Sequence, residues 1–431
     1  MANSIHVEAI ELLLSSMYCK AGEDGLRSSF MWGRPGPHSH KGFGTTVFYR
    51  RKLFIRAVLH VRRNGPVHLR HFAIDVISSK LSGFISDNYW CLSEDTFFKQ
   101  FDRSYAEYVS PEVKFKLANL LEASELFSPN RSLSLFPLVP VRVESDFMSE
   151  SFFLVRPESL GAHLPIDWLE WFAPEHFPPL KRWEGKQETP SSWLGVRSPA
   201  IQSSVKMKAA ALGAVALTPR PRYRHLFSYR HVYGGWCELS DTISTSFGDP
   251  HTPPMAEDIV ITSDDHPWLF LLHAKLSSTQ KDTRRQIRAL EYFYKAWPLE
   301  PGDRFPLLCM TLDAIFGDEN HATESFIEGI KATIGSHVDD KRLRLLTRLR
   351  GSVVHGGAPD VYDSSKYAKY FETYGQDPVY DLELVAAQCL RTVIFDGCLK
   401  EHADPNAPLF AALQATGQLP SNLDENTILS G

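Results

Sequence analysis

The chain has 431 residues, of which 43% are hydrophobic, 23% charged and 12% aromatic. This composition is typical of a globular protein with more than one domain and excludes a disordered or low-complexity chain. The 46 Lys and Arg residues stand against 51 Asp and Glu residues, and the formal net charge of -5 excludes a polycation that binds nucleic acid by overall charge.

The sequence shows no zinc or membrane-spanning motif. The six cysteines are single and form no CxxC pair, so they indicate neither a zinc ribbon nor a disulfide framework, and a reducing compartment fits best. The apolar run AAALGAVAL at 209–217 is too short to span a bilayer. We therefore expect a cytoplasmic protein with no membrane association and no cofactor.

The first 265 residues predict a mixed α/β region that contains strands. Residues 1–19 form an amphipathic pattern and predict a helix, with two glutamates among the apolar residues. Residues 45–63 and 146–157 are rich in β-branched and aromatic residues and favour strands. Residues 111–126 open with proline and predict a second helix.

Three further segments bear on the organisation of this region. In 157–200, prolines and tryptophans alternate with short apolar runs, which is compatible with a break between two subdomains. RYRHLFSYRHVYGGW (222–236) predicts a strand that ends at its two glycines. DPHTPP (249–254) predicts a linker or a long loop.

After about residue 265 the apolar residues follow a helical period. Each predicted helix has apolar residues at three- and four-residue spacing, and Pro298 and Gly317 end the first two. The sequence thus predicts an α+β multidomain chain, with a mixed α/β region over 1–265 and an all-α bundle over 266–431. The five predicted helices lie near 287–297, 305–315, 321–334, 339–354 and 379–396.

The fourth of these helices carries a candidate catalytic motif. It ends in LTRLRGSVVHGG, where Arg350 and His355 are separated by four residues and two glycines stop the helix. Five positions on an ideal helix rotate by roughly 500°, so the two side chains lie about 140° apart. They converge only if the helix breaks near Gly351 or if a second subunit completes the site.

Three segments together resemble the Apea-like branch of the HEPN domains. They are RALEYFYKAW (288–297), TLDAIFG (311–317) and TRLRGSVVHGG (347–357), and the late helix DLELVAAQCLRTVIF (381–395) also fits. The resemblance covers about 278–400. Two positions depart from the family pattern: Gly351 follows the arginine, where a polar residue is common, and Asp313 stands where glutamate is common.

The resemblance implies a helical bundle that dimerises and acts as a metal-independent endoribonuclease. The arginine and histidine of each protomer would meet across the dimer interface, and in this chain they are Arg350 and His355. Histidine can act as a general base or acid near neutral pH, and a guanidinium can hold the scissile phosphate. Asp313 could orient Arg350. The alternative is that Arg350 only complements the helix dipole and that His355 only caps the helix.

Basic residues cluster around the motif. Lys341, Arg344 and Arg348 are candidate RNA-binding residues, with Arg342 and Arg350 in the same ten-residue stretch. Equally, these basic residues could form an exposed helix face that contacts only solvent and has no role in RNA binding.

Other patterns give weaker candidates. His38 and His40 could bind a metal only with partners that the sequence does not identify. Basic and aromatic residues alternate in one stretch, which is typical of nucleic-acid binding and also of an exposed edge strand. These residues are Arg222, Arg224, His225, Tyr229, Arg230 and His231. A second basic stretch leaves the same two readings open: Arg50, Arg51, Lys52, Arg56, Arg62 and Arg63. Cys309 and Cys389 fall on apolar helix faces and predict core positions.

The sequence thus predicts a homodimeric HEPN-type ribonuclease of the antiphage or abortive-infection kind. It would cut RNA, with tRNA as one candidate, under control of an N-terminal region that senses a phage-derived or other protein trigger. A catalytically inactive HEPN adaptor that binds a partner protein or RNA is the alternative. A metal-dependent nuclease that uses N-terminal His and Asp residues is a third hypothesis.

Overall fold

The chain forms two compact units. The first is Met1–Arg131 with Pro199–Ser203, and the second is Ser132–Ser198 with Ser204–Gly431. The predicted domain boundary at residue 265 lies inside the second unit. The computed structural model describes residues 4–21, 25–32, 43–70, 72–96, 99–128, 132–164, 189–198, 201–219, 228–230, 232, 234–240, 243–318, 321–358, 360–418 and 426–430.

The first unit combines helices with a small antiparallel sheet. Its three strands pair in the order β1-β3-β2, and apolar residues of its helices and strands bury one continuous core. The predicted helices at 1–19 and 111–126 are confirmed, and Ser110 caps the second by accepting from the Val113 amide. The elements are α1 (Ser4–Ser16), β1 (Met17–Tyr18), β2 (Gly25–Trp32), β3 (Phe43–Arg50), α2 (Arg51–Asn64), α3 (Ile74–Asn88), α4 (Ser93–Thr96), α5 (Tyr105–Tyr108) and α6 (Pro111–Glu122).

The strand predicted over 45–63 is only half correct. Strand β3 ends at Arg50, and residues 51–64 form helix α2. Phe54, Ala57, Val58 and Val61 are buried at helical spacing, so burial of this face outweighs the strand preference of the β-branched residues.

The second unit is built on a six-stranded antiparallel sheet. Its strand order is β10-β9-β4-β8-β7-β6, and a separate parallel pair joins β11 to β5. The prediction of strands in 146–157 is confirmed by the β6-β7 hairpin. The strands are β4 (Ser132–Leu138), β5 (Val141–Val143), β6 (Phe147–Met148), β7 (Phe152–Val155), β8 (Ser192–Ser198), β9 (Gly234–Leu239), β10 (Ile243–Pro250) and β11 (Ile259–Ile261).

Both faces of this sheet carry apolar residues that are buried. Phe152 and Leu154 of β7 belong to the core shared with the helices, whereas Phe153 and Val155 belong to a smaller cluster. This alternation follows from the two-residue period of a strand. The strands of a sheet that is buried on both faces have continuous apolar sequences. This explains why β7, with the sequence FFLV, does not alternate between apolar and polar residues.

The two ends of the sheet differ from its middle. Strand β6 has two residues, and β10 shows a register shift between Ser246 and Pro250. Short strands, bulges and prolines are common at sheet edges.

Helices make up the rest of the second unit and pack on one face of the sheet. The five predicted helices are confirmed as α9, α10, α11, α12 and α14, and Cys309 and Cys389 are buried as expected. The helices are α7 (Ile201–Val215, whose first three residues belong to the first unit), α8 (His266–Leu276), α9 (Lys281–Ala296), α10 (Pro301–Phe316), α11 (Ala322–Ile334), α12 (Asp340–Val354), α13 (Ser365–Tyr374), α14 (Pro378–Phe395) and α15 (Ala407–Ala415).

The small-residue run at 209–217 has a packing role. It forms most of the second half of α7, and a Cβ on Gly213 would lie 2.3 Å from the Leu290 carbonyl oxygen of α9. Glycine therefore permits the two helix backbones to approach closely.

One prediction about strands is wrong, and one about loops is correct in part. The sequence predicts that the strand over 222–236 ends at its two glycines. In the structure Ser228–Arg230 are not in a strand, and strand β9 begins at the first of these glycines, Gly234. Residues 251–254 form a loop after β10, as one of the two alternatives predicted, but they are not a linker, because His251 and Thr252 are buried in the second unit. Residues 165–188 of the proposed subdomain break lie outside the described residues, and the strands on either side of them, β7 and β8, pair directly.

Candidate active site

Helix α12 carries the Arg350–His355 motif. Leu343, Leu346 and Leu349 bury one face of this helix, and Asp339 caps it by accepting from the Lys341 amide at 2.9 Å. The helix ends at Val354, and Gly356 adopts the left-handed conformation with φ 74° that commonly terminates helices. The motif thus lies at the C-terminal end of a well-anchored helix.

Arg350 pairs with Asp313 of α10. The Nη2 to Oδ2 distance is 2.7 Å, with side-chain exposures of 21% and 30%. The guanidinium also lies 5.9 Å from the centroid of the Phe326 ring. Burial raises the pKa of Asp313 above its usual value, and the charge of Arg350 offsets part of that effect. The structure thus brings together two of the three proposed catalytic residues.

His355 stands at the C-cap of α12 and is exposed. Its backbone N–H donates to the Gly351 carbonyl, and its ring makes no hydrogen bond or ion pair with any described residue. Helix α12 is unbroken through Gly351, so the expected rotation of about 140° separates the ring from Arg350. The helix therefore does not break at Gly351 to bring Arg350 and His355 together. The remaining possibility is that a second subunit completes the site.

Lys341, Arg344 and Arg348 lie on one exposed face of α12. Their spacing of three and four residues places them in a row that runs toward His355. Arg344 donates to Asp340 at 2.7 Å, which neutralises part of the row. We call these three residues the basic row.

Arg342 does not belong to the basic row. Its side chain is buried, and it donates to the hydroxyl of Tyr370 at 2.8 Å and to the carboxylate of Asp381. The Ile428 amide donates to the other oxygen of Asp381 at 2.9 Å. Arg342 therefore anchors α12 in the helical region, as buried ion pairs with additional hydrogen bonds do.

Exposed apolar side chains flank the Arg350–Asp313 pair in sequence. Met310 lies one turn before Asp313 on α10 and is 39% exposed. Val354 lies one turn after Arg350 on α12 and is 50% exposed. Positions three or four residues apart share a helix face, so the ion pair has an apolar surface beside it.

The weaker candidates are distributed differently. His38, His40, Arg222, Arg224, His225 and His231 lie outside the described residues. Tyr229 is fully exposed, and Arg230 pairs with Asp258 at 2.7 Å. In the described part of the chain no three His, Cys, Asp or Glu side chains come together as metal ligands would.

The basic residues of 50–63 split into two groups. Arg50 stacks on the ring of Tyr18, and Arg62 donates to the carbonyls of Phe72 and Arg70, so both have structural partners. The exposed members are Arg51, Lys52, Arg56 and Arg63.

Two polar clusters of the second unit are missed by sequence reasoning. Lys208 lies 3.3 Å from Nδ1 of His251, and burial lowers the pKa of this lysine to about 8. His402 hydrogen-bonds to Asp265, 137 positions away in the chain. The sequence signal for the second cluster is the Thr262–Asp265 capping box alone.

Comparison with protein-family models, with curated proteins and with solved structures found no match for this chain. No helix in the described ranges is long and apolar enough to cross a membrane.

Proposed function

We propose that this protein is a metal-independent endoribonuclease of the HEPN type. Arg350 would bind the scissile phosphate, His355 would transfer protons, and Asp313 would orient Arg350. The observation that carries this proposal is the Arg350–Asp313 ion pair, because it fixes a cation at the site that the motif resemblance assigns to catalysis.

The reaction uses chemistry that RNA itself supplies. The 2′-oxygen attacks the adjacent phosphorus and forms a new P–O bond, while a base removes the 2′-hydroxyl proton. The bond from phosphorus to the 5′-oxygen breaks, and that oxygen takes up a proton. The products are a 2′,3′-cyclic phosphate and a 5′-hydroxyl. Histidine suits both proton transfers because it gains and loses a proton near neutral pH.

The guanidinium of Arg350 can serve Asp313 and a phosphate together. Arginine presents five N–H donors in a planar fork, and the contact with Asp313 is made through Nη2. The remaining donors can stabilise the negative charge that builds on the phosphate oxygens in the transition state. A side chain that is 21% exposed keeps an edge open to solvent and to substrate.

A homodimer would complete the site. Arg350 and His355 of one copy diverge on an unbroken helix, so a second copy is needed to bring a histidine to each arginine. The exposed apolar side chains of Met310 and Val354 beside the ion pair support such an interface, because burial of apolar surface stabilises association.

RNA would follow the basic row toward His355. Lys341, Arg344 and Arg348 share the exposed face of α12, which suits contacts to the sugar–phosphate backbone rather than to bases. The roles of antiphage effector and of N-terminal sensor rest on the resemblance alone. In the same way, tRNA is one candidate substrate among cellular RNAs.

The decisive experiment compares wild type, Arg350→Ala and His355→Ala on total RNA and purified tRNA with EDTA present. Lys369→Ala, which removes an exposed charge on α13, is the matched control. We expect cleavage by wild type and by the control, with 2′,3′-cyclic phosphate ends, and losses of at least 100-fold in the other two variants.

Three outcomes would contradict the proposal. Equal cleavage by all four proteins would show a contaminant or another site. No cleavage by wild type, even with lysate from phage-infected cells added, would favour the inactive adaptor. Activity that EDTA abolishes would favour the metal-dependent nuclease.

A further inference from the structure

The second unit contains a cavity of about 150 Å³ that shares no lining residue with the candidate active site. Three segments of the chain form it: Pro219 after helix α7, the segment that leads into strand β11, and the loop that follows helix α14. Its apolar wall includes Pro219, Met255, Ile259 and Pro405. An apolar cavity of this size can hold a benzene-sized group.

One polar residue of the wall is His402, which is fixed in orientation. Its Nε2 lies 2.8 Å from Oδ1 of Asp265, and its backbone N–H donates to the Thr218 carbonyl. Asp265 is 5% exposed and also accepts from Nε1 of Trp268 at 2.8 Å and from the amide of Thr262 at 2.9 Å. The whole arrangement leaves the imidazole little freedom to rotate.

The environment of Asp265 determines which ring nitrogen of His402 carries a proton and which can accept a hydrogen bond. Burial raises the pKa of Asp265, but hydrogen bonds from His402, Thr262 and Trp268 outweigh it, and the pKa lies below its usual value. An ionised carboxylate only accepts hydrogen bonds, so Nε2 of His402 carries the proton. When the ring is neutral, Nδ1 is therefore an acceptor without an assigned donor.

The second polar residue of the wall is Asp404. Its Oδ1 accepts from the Asn406 amide at 2.9 Å. Its Oδ2 is buried and accepts no hydrogen bond from any described residue. A carboxylate oxygen buried without a donor is costly, so a donor that reaches the Asp404 carboxylate from the cavity would be stabilised there.

Among the described residues that line the cavity, the charges have one dominant sign. Glu257 and Asp258 also line it, and Asp258 is already paired with Arg230. With Asp404 and Glu257 unpaired by any described cation, a ligand that carries positive charge is favoured over an anion.

We propose that this cavity binds a small organic cation, an amidinium or ammonium group on a flat apolar body. The apolar body would fill the space beside Met255 and Ile259. The cationic group would donate to the carboxylate of Asp404 and, through a second N–H, to Nδ1 of His402. This inference does not depend on the proposed ribonuclease activity.

The test uses the full-length protein and three probes of similar size in titration calorimetry. Benzamidine carries a positively charged amidinium group, benzoate carries a negative charge, and benzyl alcohol is uncharged. We expect saturable 1:1 binding of benzamidine, at least tenfold tighter than either other probe, since charge-assisted hydrogen bonds are the strong ones. Benzoate or benzyl alcohol binding as tightly as benzamidine would overturn the proposal, as would no saturable binding of benzamidine up to roughly 10 mM.

Two variants locate the binding. Asp404→Asn should weaken benzamidine binding at least tenfold, whereas Glu372→Gln, the same acid-to-amide change at an exposed position of α13 away from the cavity, should alter it less than threefold. Equal affinity of Asp404→Asn and wild type would place the cation elsewhere and refute the site. If Asp404→Asn does not fold, His402→Gln takes its place with the same expectation, and the three-probe comparison on the unmodified protein needs no variant.

Discussion

Asp313 holds a half-buried carboxylate against Arg350, and its role can be separated from a purely structural one. Asp313→Asn keeps the size of the side chain but removes the charge that orients the guanidinium. We expect the kcat/KM for RNA to fall about 10- to 100-fold, and Asp313→Glu to retain most of it.

The same variants give a stability readout. Both partners of the pair reach solvent, so Asp313→Asn should change the free energy of unfolding by less than about 1 kcal/mol. A loss of activity that matches a loss of folded protein would show that the pair is structural. Denaturant unfolding, measured beside the kinetics, distinguishes the two outcomes.

Lys208 predicts a pH dependence of stability. Its pKa in the folded state is about 8, against 10.5 for an unperturbed lysine, because burial disfavours the charge. Between these two values the unfolded chain binds more protons than the folded chain, so stability rises as pH increases from 8 to 10.5. The gain attributable to this lysine is at most about 3 kcal/mol.

The measurement compares wild type with Lys208→Met by denaturant unfolding at several pH values. As pH rises from 8 to 10.5, the free energy of unfolding of wild type should increase relative to that of Lys208→Met. Lys369→Met, on an exposed site, should show no such change. A difference that is flat with pH would mean that the lysine is solvated in solution.

At the scale of elements, two glycines predict opposite responses to alanine. A Cβ on Gly213 would lie 2.3 Å from the backbone of α9, so Gly213→Ala should destabilise the protein by about 1–3 kcal/mol. A Cβ on Gly351 of α12 would meet no atom within 4 Å. Gly351→Ala should therefore stabilise it by about 0.5–1 kcal/mol.

Gly351→Ala also tests the geometry of the motif. If a second copy completes the active site, alanine at this position leaves cleavage unchanged within about threefold, because no break in the helix is required. A large loss of cleavage in a more stable protein would instead indicate that α12 must open at Gly351 to act.

Sequence patterns predict an element when its buried face repeats with a clear period. Leu343, Leu346 and Leu349 mark α12 in this way, and the structure confirms the helix. The segment 51–63 misleads because its β-branched residues favour strands, whereas burial of Phe54 and Val58 decides for a helix. Propensity is a weak guide wherever packing opposes it.

Contacts between distant segments are not accessible from local patterns. The Arg350–Asp313 pair was suggested by a family resemblance, and neither residue alone indicates the other. His402 and Asp265, or Lys208 and His251, are brought together only by the packing of elements far apart in the chain. Their partners follow from tertiary structure, so the candidate cavity could not be predicted.

At the scale of the whole molecule, a shared site predicts complementation between inactive variants. In a mixed dimer of Arg350→Ala and His355→Ala, one site keeps both an intact arginine and an intact histidine. Mixing equal amounts, with time for exchange of subunits, should restore roughly a quarter of wild-type activity. No recovery in samples shown to contain mixed dimers would exclude a site shared in this way.

Truncation tests where the chain can be divided. The core of the second unit joins residues of the sheet and α7 with residues of α8 to α14. We expect residues 132–431 to unfold cooperatively and residues 266–431 to lack a cooperative transition, because the latter expose Trp268, Leu269 and Leu290. Thermal unfolding of each fragment, monitored by circular dichroism, would show whether its transition is cooperative. A cooperative melt of residues 266–431 would support a boundary at residue 265.

The two ends of the six-stranded sheet bear on how copies of this chain can meet. A flat, open edge invites another chain to add a strand, which leads to fibres rather than to defined dimers. Here one end strand, β6, is two residues long, and the other, β10, has an irregular register and ends in Pro250. Strand exchange through this six-stranded sheet is therefore disfavoured, and its edges should not drive aggregation in concentrated solutions. In the second unit, self-association is therefore favoured at helical surfaces, where symmetry can limit the number of subunits.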